Sequence, residues 1–256
     1  MGKIINSRFI EPVYWVVGFL ILWECLVELN DISSLILAAP TDILIRIVTD
    51  AETIASHSLK TSKLILFGFL AGAIPGIVLG YLVSSFRICR ETIYPVAVFI
   101  QGLPKITLAP LLLIWFGFSD FPIILLTAMI TFFPVMVDSA LGIDGVDKRL
   151  YYIARSAGAS RLAIFRHIQL FCAAPAIFSG MKITVVICVT VVIVVEWLNA
   201  NSGLGYLVLR AMDASDTSLI FAVLIIGSLI GLLFLYVIQL AELFFSRQGG
   251  EVKTRR

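Results

Sequence analysis

Gly68-Phe-Leu-Ala-Gly72-Ala-Ile-Pro-Gly76-Ile-Val-Leu-Gly80 places four glycines at intervals of four in a run without a charged residue. Residues four apart share one face of an α-helix, so these glycines draw a nearly continuous small-residue stripe. In lipid, such a stripe lets another helix approach closely, where dispersion contacts replace a hydrophobic force that hydrocarbon cannot supply. The approaching helix belongs either to the same subunit or to a second one. Pro75, inside the run, predicts a kink.

The rest of the chain carries the same apolar signature. Sixty per cent of its 256 residues are hydrophobic and 14% are charged, with a mean hydropathy of +1.03. That is too apolar for a soluble domain and identifies an integral membrane protein. A helix needs about 20 apolar residues to cross about 30 Å of hydrocarbon. Six spans meet or approach this length, near 13 to 29, 64 to 86, 93 to 117, 121 to 137, 176 to 198 and 219 to 244. The expected fold is therefore all-α, a polytopic membrane protein with six transmembrane helices in one domain, 1 to 256. The first span has Lys3 and Arg8 before it and carries Glu24, with no small-residue cleavage site, so it reads as retained.

Basic residues orient the spans. With the N-terminus inside, thirteen Lys and Arg residues fall on the cytoplasmic side, among them Lys3, Arg8, Arg87, Arg90, Arg155, Arg161, Arg247, Lys253, Arg255 and Arg256. Four fall outside: Arg46, Lys60, Lys63 and Arg210. The positive-inside rule then puts both termini and the loop 138 to 175 in the cytoplasm. Pro40-Thr-Asp42, followed by Ile43, Leu44, Ile47 and Val48 at helical spacing, predicts an amphipathic helix over 40 to 56 on the outer surface.

The third span is irregular. Pro95, Gly102, Pro104 and Pro110 interrupt it, and Gln101, Lys105 and Thr107 bring polar groups where lipid tolerates none. Broken backbone at membrane depth persists only where protein buries it or water fills a path beside it. Residues 101 to 110 are thus expected to border a translocation pathway, with Lys105 available to a passing anion. The other reading makes 93 to 103 an interfacial helix and starts the span at Pro104, with Lys105 reaching into the interface. Three acids, Glu24, Glu28 and Glu196, lie toward the outer ends of their helices. Each is a candidate ion or proton site, or an interfacial residue.

Catalytic chemistry finds no footing. The chain lacks a G-x-x-x-x-G-K-[ST] phosphate loop, a G-x-S-x-G elbow and an H-E-x-x-H pair. His57 and His167 fall on opposite sides of the predicted membrane, and Cys25, Cys89, Cys172 and Cys188 show no C-x-x-C spacing, so free thiols and no metal site are expected. A net charge of +2 is explained by the inside bias and gives no reason to expect nucleic acid.

The loop carries more pattern than a connection needs. From Arg149 to Phe165, apolar Leu150, Ile153, Ala154, Ala157, Leu162 and Phe165 alternate with Arg155, Ser160 and Arg161, and Gly158-Ala159 permits a bend. This predicts a helix, a small-residue turn and a second helix, with apolar groups free to enter a partner's groove.

These residues resemble the membrane permease subunits of bacterial ABC importers, whose cytoplasmic loop carries Glu-Ala-Ala, three residues, Gly, and later Ile and Leu-Pro. Here Tyr152-Ile153-Ala154 stands for Glu-Ala-Ala, Gly158 for the glycine and Ile168 for the isoleucine; Leu170-Phe171 replaces Leu-Pro, and Pro175 matches a second family proline. Residues 102 to 117, Gly180, Glu196, Gly203-Leu-Gly205 and Leu207 look like the nitrate, taurine and alkanesulfonate type. The resemblance implies a type I ABC importer permease (MetI-like) fold in the bacterial inner membrane, without catalysis of its own. It implies ATPase coupling through Tyr152, Ile153, Ala154, Arg155, Gly158, Ala159, Ser160 and Ile168, and a pathway past Gln101, Lys105, Thr107 and Glu196. The implied partners are two cytoplasmic ABC ATPases holding ATP and Mg2+, a second permease copy, an extracytoplasmic binding protein and membrane lipid. The solute would be a small anion or organosulfonate such as nitrate, taurine or an alkanesulfonate, or else a heterocycle such as a thiamine pyrimidine precursor or riboflavin. The reading from a different class is an ion-coupled secondary transporter or channel working through Glu24, Glu28 or Glu196; it calls for inverted repeats, which the six spans do not display.

Overall fold

The computed structural model describes residues 2–248, and side chains from 14 to 245. Calls resting on Lys253, Arg255 and Arg256 lie outside the described residues, as do those on the side chains of Lys3, Arg8 and Arg247. Within these limits the chain is helical throughout, with no strand. In order the helices are α1 (Gly2–Leu29), α2 (Pro40–Thr49), α3 (Ala51–Ser85), α4 (Arg87–Gln101), α5 (Ala109–Phe116), α6 (Asp120–Asp144), α7 (Lys148–Ser156), α8 (Arg161–Ile164), α9 (Leu170–Asn199), α10 (Leu204–Asp213) and α11 (Thr217–Gln248).

Helices α3, α6 and α11, and a continuous run from Arg161 through α9, are each long and apolar enough to span a membrane. The fifth crossing is bent. The predicted third span divides at Gly102-Leu-Pro104 into α4 and a second piece, Lys105–Phe116, which meet at 83°. The division has a local cause: Pro104 lacks an N–H and pushes Leu103 out of the α region. The first predicted span occupies the latter half of α1, so the six predicted crossings are accommodated.

The bundle is built on α3, α6 and α9, with α11 and α10 packed on α9. The glycine stripe lies on α6 of the same chain. A Cβ built on Gly68 would stand 2.5 Å from the Thr127 Cβ, on Gly76 2.9 Å from the Phe132 carbonyl, and on Gly80 2.6 Å from the Ser139 Cβ; on Gly72 it would run into the Ala128 carbonyl. At all four positions the atoms within reach include backbone of α6, which cannot turn aside. Gly72→Leu is therefore expected to destabilise the bundle by at least about 1–3 kcal/mol, the usual cost of overpacking. Gly18→Leu, where nothing lies within 4 Å, should be silent in the same thermal melt in detergent.

Three buried threonines between these helices are satisfied by their own backbone: Thr127 donates to Ile123 O at 2.7 Å, Thr131 to Thr127 O at 3.0 Å and Thr184 to Gly180 O at 2.9 Å, whereas the buried Ser139 hydroxyl finds no partner among the described residues. Threonine can therefore stand on a helix against an apolar neighbour without orphaning its donor.

Two element boundaries differ from expectation. The predicted amphipathic helix 40 to 56 breaks at Asp50, and 51 to 56 begin α3. Its first turn receives Glu24, which accepts from Thr41 N at 3.1 Å and from Thr41 Oγ1 at 2.5 Å. A carboxylate at a helix start answers its unsatisfied N–H groups, which gives Glu24 a structural task. The predicted loop 138 to 175 is also mostly helical: α6 runs to Asp144, and a π turn at Phe165–Gln169 carries the chain from α8 into α9, with Pro175 inside that helix.

Candidate functional site

Between α6 and α9 the chain makes a short, tightly capped projection. Asp147 accepts from Arg149 N at 2.8 Å and starts α7, while Ser160 accepts from Ala163 N at 3.2 Å and starts α8. At the far end of α7, Ala159 N donates to Ala154 O at 3.0 Å and Gly158 N to Arg155 O at 3.0 Å. This is the paired closure that a left-handed residue after a helix permits, and Gly158 supplies it with φ +84°. The Arg155 guanidinium adds a bond to Ala159 O at 3.0 Å. Arg155, Gly158, Ala159 and Ser160 thus serve the turn itself.

Among its basic and polar surface the projection holds out three large apolar side chains: Tyr152 and Ile153 on α7 and Leu162 on α8 are 65%, 67% and 69% exposed. Its other face is keyed to the bundle: Ile164 is fully buried, Phe165 meets Tyr81 of α3 with ring centroids 4.0 Å apart, and Ile168 is half-buried. Beside it, Asp144 accepts from Arg90 at 2.5 and 2.6 Å and from Ser84 at 2.5 Å, joining the ends of α3, α4 and α6. Asp144 ends the helix that precedes α7, so the root of the projection is tied to α3 and α4.

A groove of about 620 Å³ runs beside the bend in the fifth crossing. Gln101, Lys105 and Thr190 are its polar residues; Leu103, Ile106, Ile130, Pro134, Ile187 and Val191 are among its apolar walls. Lys105 Nζ donates to Gln101 O at 2.8 Å and stands 5.7 Å from the Phe133 ring centroid. The structure thus brings Gln101 and Lys105 together on one groove. Thr107 is elsewhere, bonded to Pro104 O at 2.7 Å.

Glu196 is not in that groove. It is fully buried, about one and a half turns beyond Val191 at 3.6 residues per turn. Thr61 Oγ1 lies 2.8 Å from both its oxygens, and Gly205 N donates to it at 3.0 Å. Leu204 N bonds Thr61 Oγ1 at 2.9 Å, and Gly203 N bonds His57 Nδ1 at 2.9 Å. Every partner is a group of α3 or the start of α10, so Glu196 acts as the cap of α10 and ties it to the bundle. Glu28, the third candidate acid, is exposed.

Sequence reading missed the Asp144–Arg90 tie and the His57–Gly203 bond, whose partners lie 54 and 146 residues apart. It also passed over Asp138, placed at the edge of a loop but standing inside α6.

Comparison with known proteins agrees with this geometry. Residues 68–248 match the model of the family described as "Binding-protein-dependent transport system inner membrane component". The chain is 29% identical to a formylaminopyrimidine transport permease protein of Halalkalibacterium halodurans, over 89% of this chain and 91% of the other. It is 29% identical to an aliphatic sulfonates transport permease candidate of Escherichia coli (93% and 91%) and 30% identical to a riboflavin transport system permease protein of Chloroflexus aurantiacus (86% and 82%). Among solved structures, the inward-facing MetNI methionine ABC transporter aligns with TM-score 0.63 at 16% identity, covering 78% of this chain and 98% of that one. With a family match that covers the bundle, projection and groove alike, the chain belongs to the binding-protein-dependent inner membrane components: it is a multi-pass permease subunit of an ABC importer, of the nitrate, taurine and sulfonate group.

Proposed function

We propose that this permease pairs with a second copy of itself, docks two cytoplasmic ATPases on α7 and α8, and passes a small solute from an extracytoplasmic binding protein along the Lys105 groove. The observation that carries the reading is the exposed trio Tyr152, Ile153 and Leu162 on a projection whose other face is locked into α3. Apolar side chains held out on a stiff element suit a partner's groove, and the lock converts motion of that partner into motion of the bundle. ATP and Mg2+ would be held by the ATPases. The projection would face the cytoplasm with both termini, and α10 would face the binding protein.

The ion-coupled alternative loses two of its three acids to structural duties, since Glu24 caps α2 and Glu196 caps α10, and the third, Glu28, is exposed. The test is reconstitution in liposomes with the ATPases and binding protein from the same source. Uptake should require ATP and survive collapse of all ion gradients. Ile153→Asp, which puts a charge on the docking face, should lower ATPase co-purification by about tenfold or more, as hot-spot losses at interfaces do. Uptake driven by an ion gradient without ATPases would sink the reading.

A further inference from the structure

Where the projection leans on α3 it leaves a polar cavity of about 240 Å³. Tyr81, Ser84 and Ser85 line it from one face at the end of α3, Tyr151 from α7 and Arg161 from α8. Gln169 completes the wall from the end of the π turn, a wide helical turn that recurs at functional sites. Next door, Phe165 joins the same elements by an apolar contact with Tyr81. The cavity is walled instead by a guanidinium, two phenols, two hydroxyls and an amide. Only Ser84 is committed, donating to Asp144 at 2.5 Å. Among the described residues, Tyr81, Ser85, Tyr151, Arg161 and Gln169 make no side-chain hydrogen bond and no ion pair.

The place is positive. Among the described residues no acid lines the cavity, and Asp144, bonded to Ser84 of its wall, is answered by Arg90. From 145 to 169 the chain holds five basic residues, Lys148, Arg149, Arg155, Arg161 and Arg166, against one acid, Asp147. That acid is turned to Arg149 N at the start of α7. A group held in the cavity therefore gains by being negative. It also gains by carrying several oxygens, because the uncommitted groups stand on both sides: a phenol and a hydroxyl on α3, and a phenol, a guanidinium and an amide on the projection. A planar carboxylate that engages a guanidinium with both oxygens keeps neither free for the opposite wall, whereas a tetrahedral phosphate does. Sites for drug-sized ligands begin near about 300 Å³, so this smaller cavity suits one phosphate and little else.

We propose that this cavity binds a phosphate group, with Arg161 supplying the countercharge and Tyr81, Ser85, Tyr151 and Gln169 the hydrogen bonds. The group is free phosphate or the headgroup phosphate of an anionic lipid, entering where the apolar run of α3 ends. Because its partners belong partly to α3 and partly to the projection, the bound phosphate joins the two and stiffens the seam beside the Phe165–Tyr81 contact. The site is built from these residues alone and does not depend on what the projection docks.

The full-length permease in neutral detergent is melted against rising inorganic phosphate, with chloride at equal ionic strength as reference. It is melted separately against phosphatidylglycerol added to the micelle, with a neutral glucosyl-diacylglycerol as reference. At saturation at least one probe should raise the melting temperature by on the order of 5 °C. A response to inorganic phosphate assigns a soluble ligand, and a response to phosphatidylglycerol alone assigns the lipid. Arg161→Gln should raise the half-saturating concentration about tenfold or more, and Tyr151→Phe, which removes one hydroxyl, by a smaller factor. Arg149→Gln, which removes the same charge from the same projection outside the cavity, should bind like wild type. If Arg161→Gln does not fold, Tyr151→Phe against Arg149→Gln carries the comparison. No rise with either probe overturns the site, as does a rise that Arg161→Gln and Tyr151→Phe leave undiminished. Equal weakening in Arg149→Gln also overturns it, and would mean an adventitious ion only, held by diffuse charge.

Discussion

Gly158→Val is expected to cut ATP-driven uptake and ATPase co-purification by about tenfold or more, while Gly158→Asn retains most of both. Gly158 sits at φ +84° with nothing within 4 Å of the place a Cβ would take, so bulk is not the obstacle. The obstacle is the left-handed backbone, which costs an ordinary L-residue about 1–2 kcal/mol and a β-branched one more. Valine would relieve that strain by opening the turn, breaking the Ala159–Ala154 and Gly158–Arg155 bonds and swinging α7 away from α8. Asparagine tolerates the same backbone. The order Gly, Asn, Ala, Val in ATPase capture would assign the glycine to turn geometry. Equal loss in Asn and Val would instead mean that the ATPase needs bare backbone there.

The sequence made the crossings legible because length and hydropathy are summed over twenty residues, and a few wrong positions do not matter. It made the glycine stripe legible because its period is the helix's own. It could not say that α6 was the partner, since approach between helices 60 residues apart leaves no mark in either one. The loop 138 to 175 was overdrawn for a specific reason: the first polar residue, Asp138, was taken as the end of a span. The helix does not stop there, because its backbone ladder continues to Asp144, where the Arg90 pair closes it. Glu196 and Gly203-Leu-Gly205 were visible as a family-like pattern, but their meaning was not, since the cap is completed by His57 and Thr61 from another helix.

Gly203→Ala should lower the temperature at which the purified permease loses monodispersity by on the order of 10 °C, or about 3 kcal/mol. Two costs coincide at this residue. Its φ of +101° is a conformation that alanine rarely adopts, and a Cβ there would fall within the buried Glu196 carboxylate. If the carboxylate moves aside, Gly205 N and Thr61 Oγ1 lose their partner in the interior, and each orphaned group costs about 1–3 kcal/mol. Glu196→Gln separates the two costs. It keeps size and one acceptor oxygen, so one of the two donors stays satisfied, and its loss should be about half that of Gly203→Ala. Gly145→Ala, at negative φ and with its nearest neighbour 3.4 Å from the added methyl, should melt like wild type. If Gly203→Ala also melts like wild type, then α10 is not held to the bundle by Glu196. The end of the molecule proposed to receive the binding protein would then be free to move independently of α3 and α9.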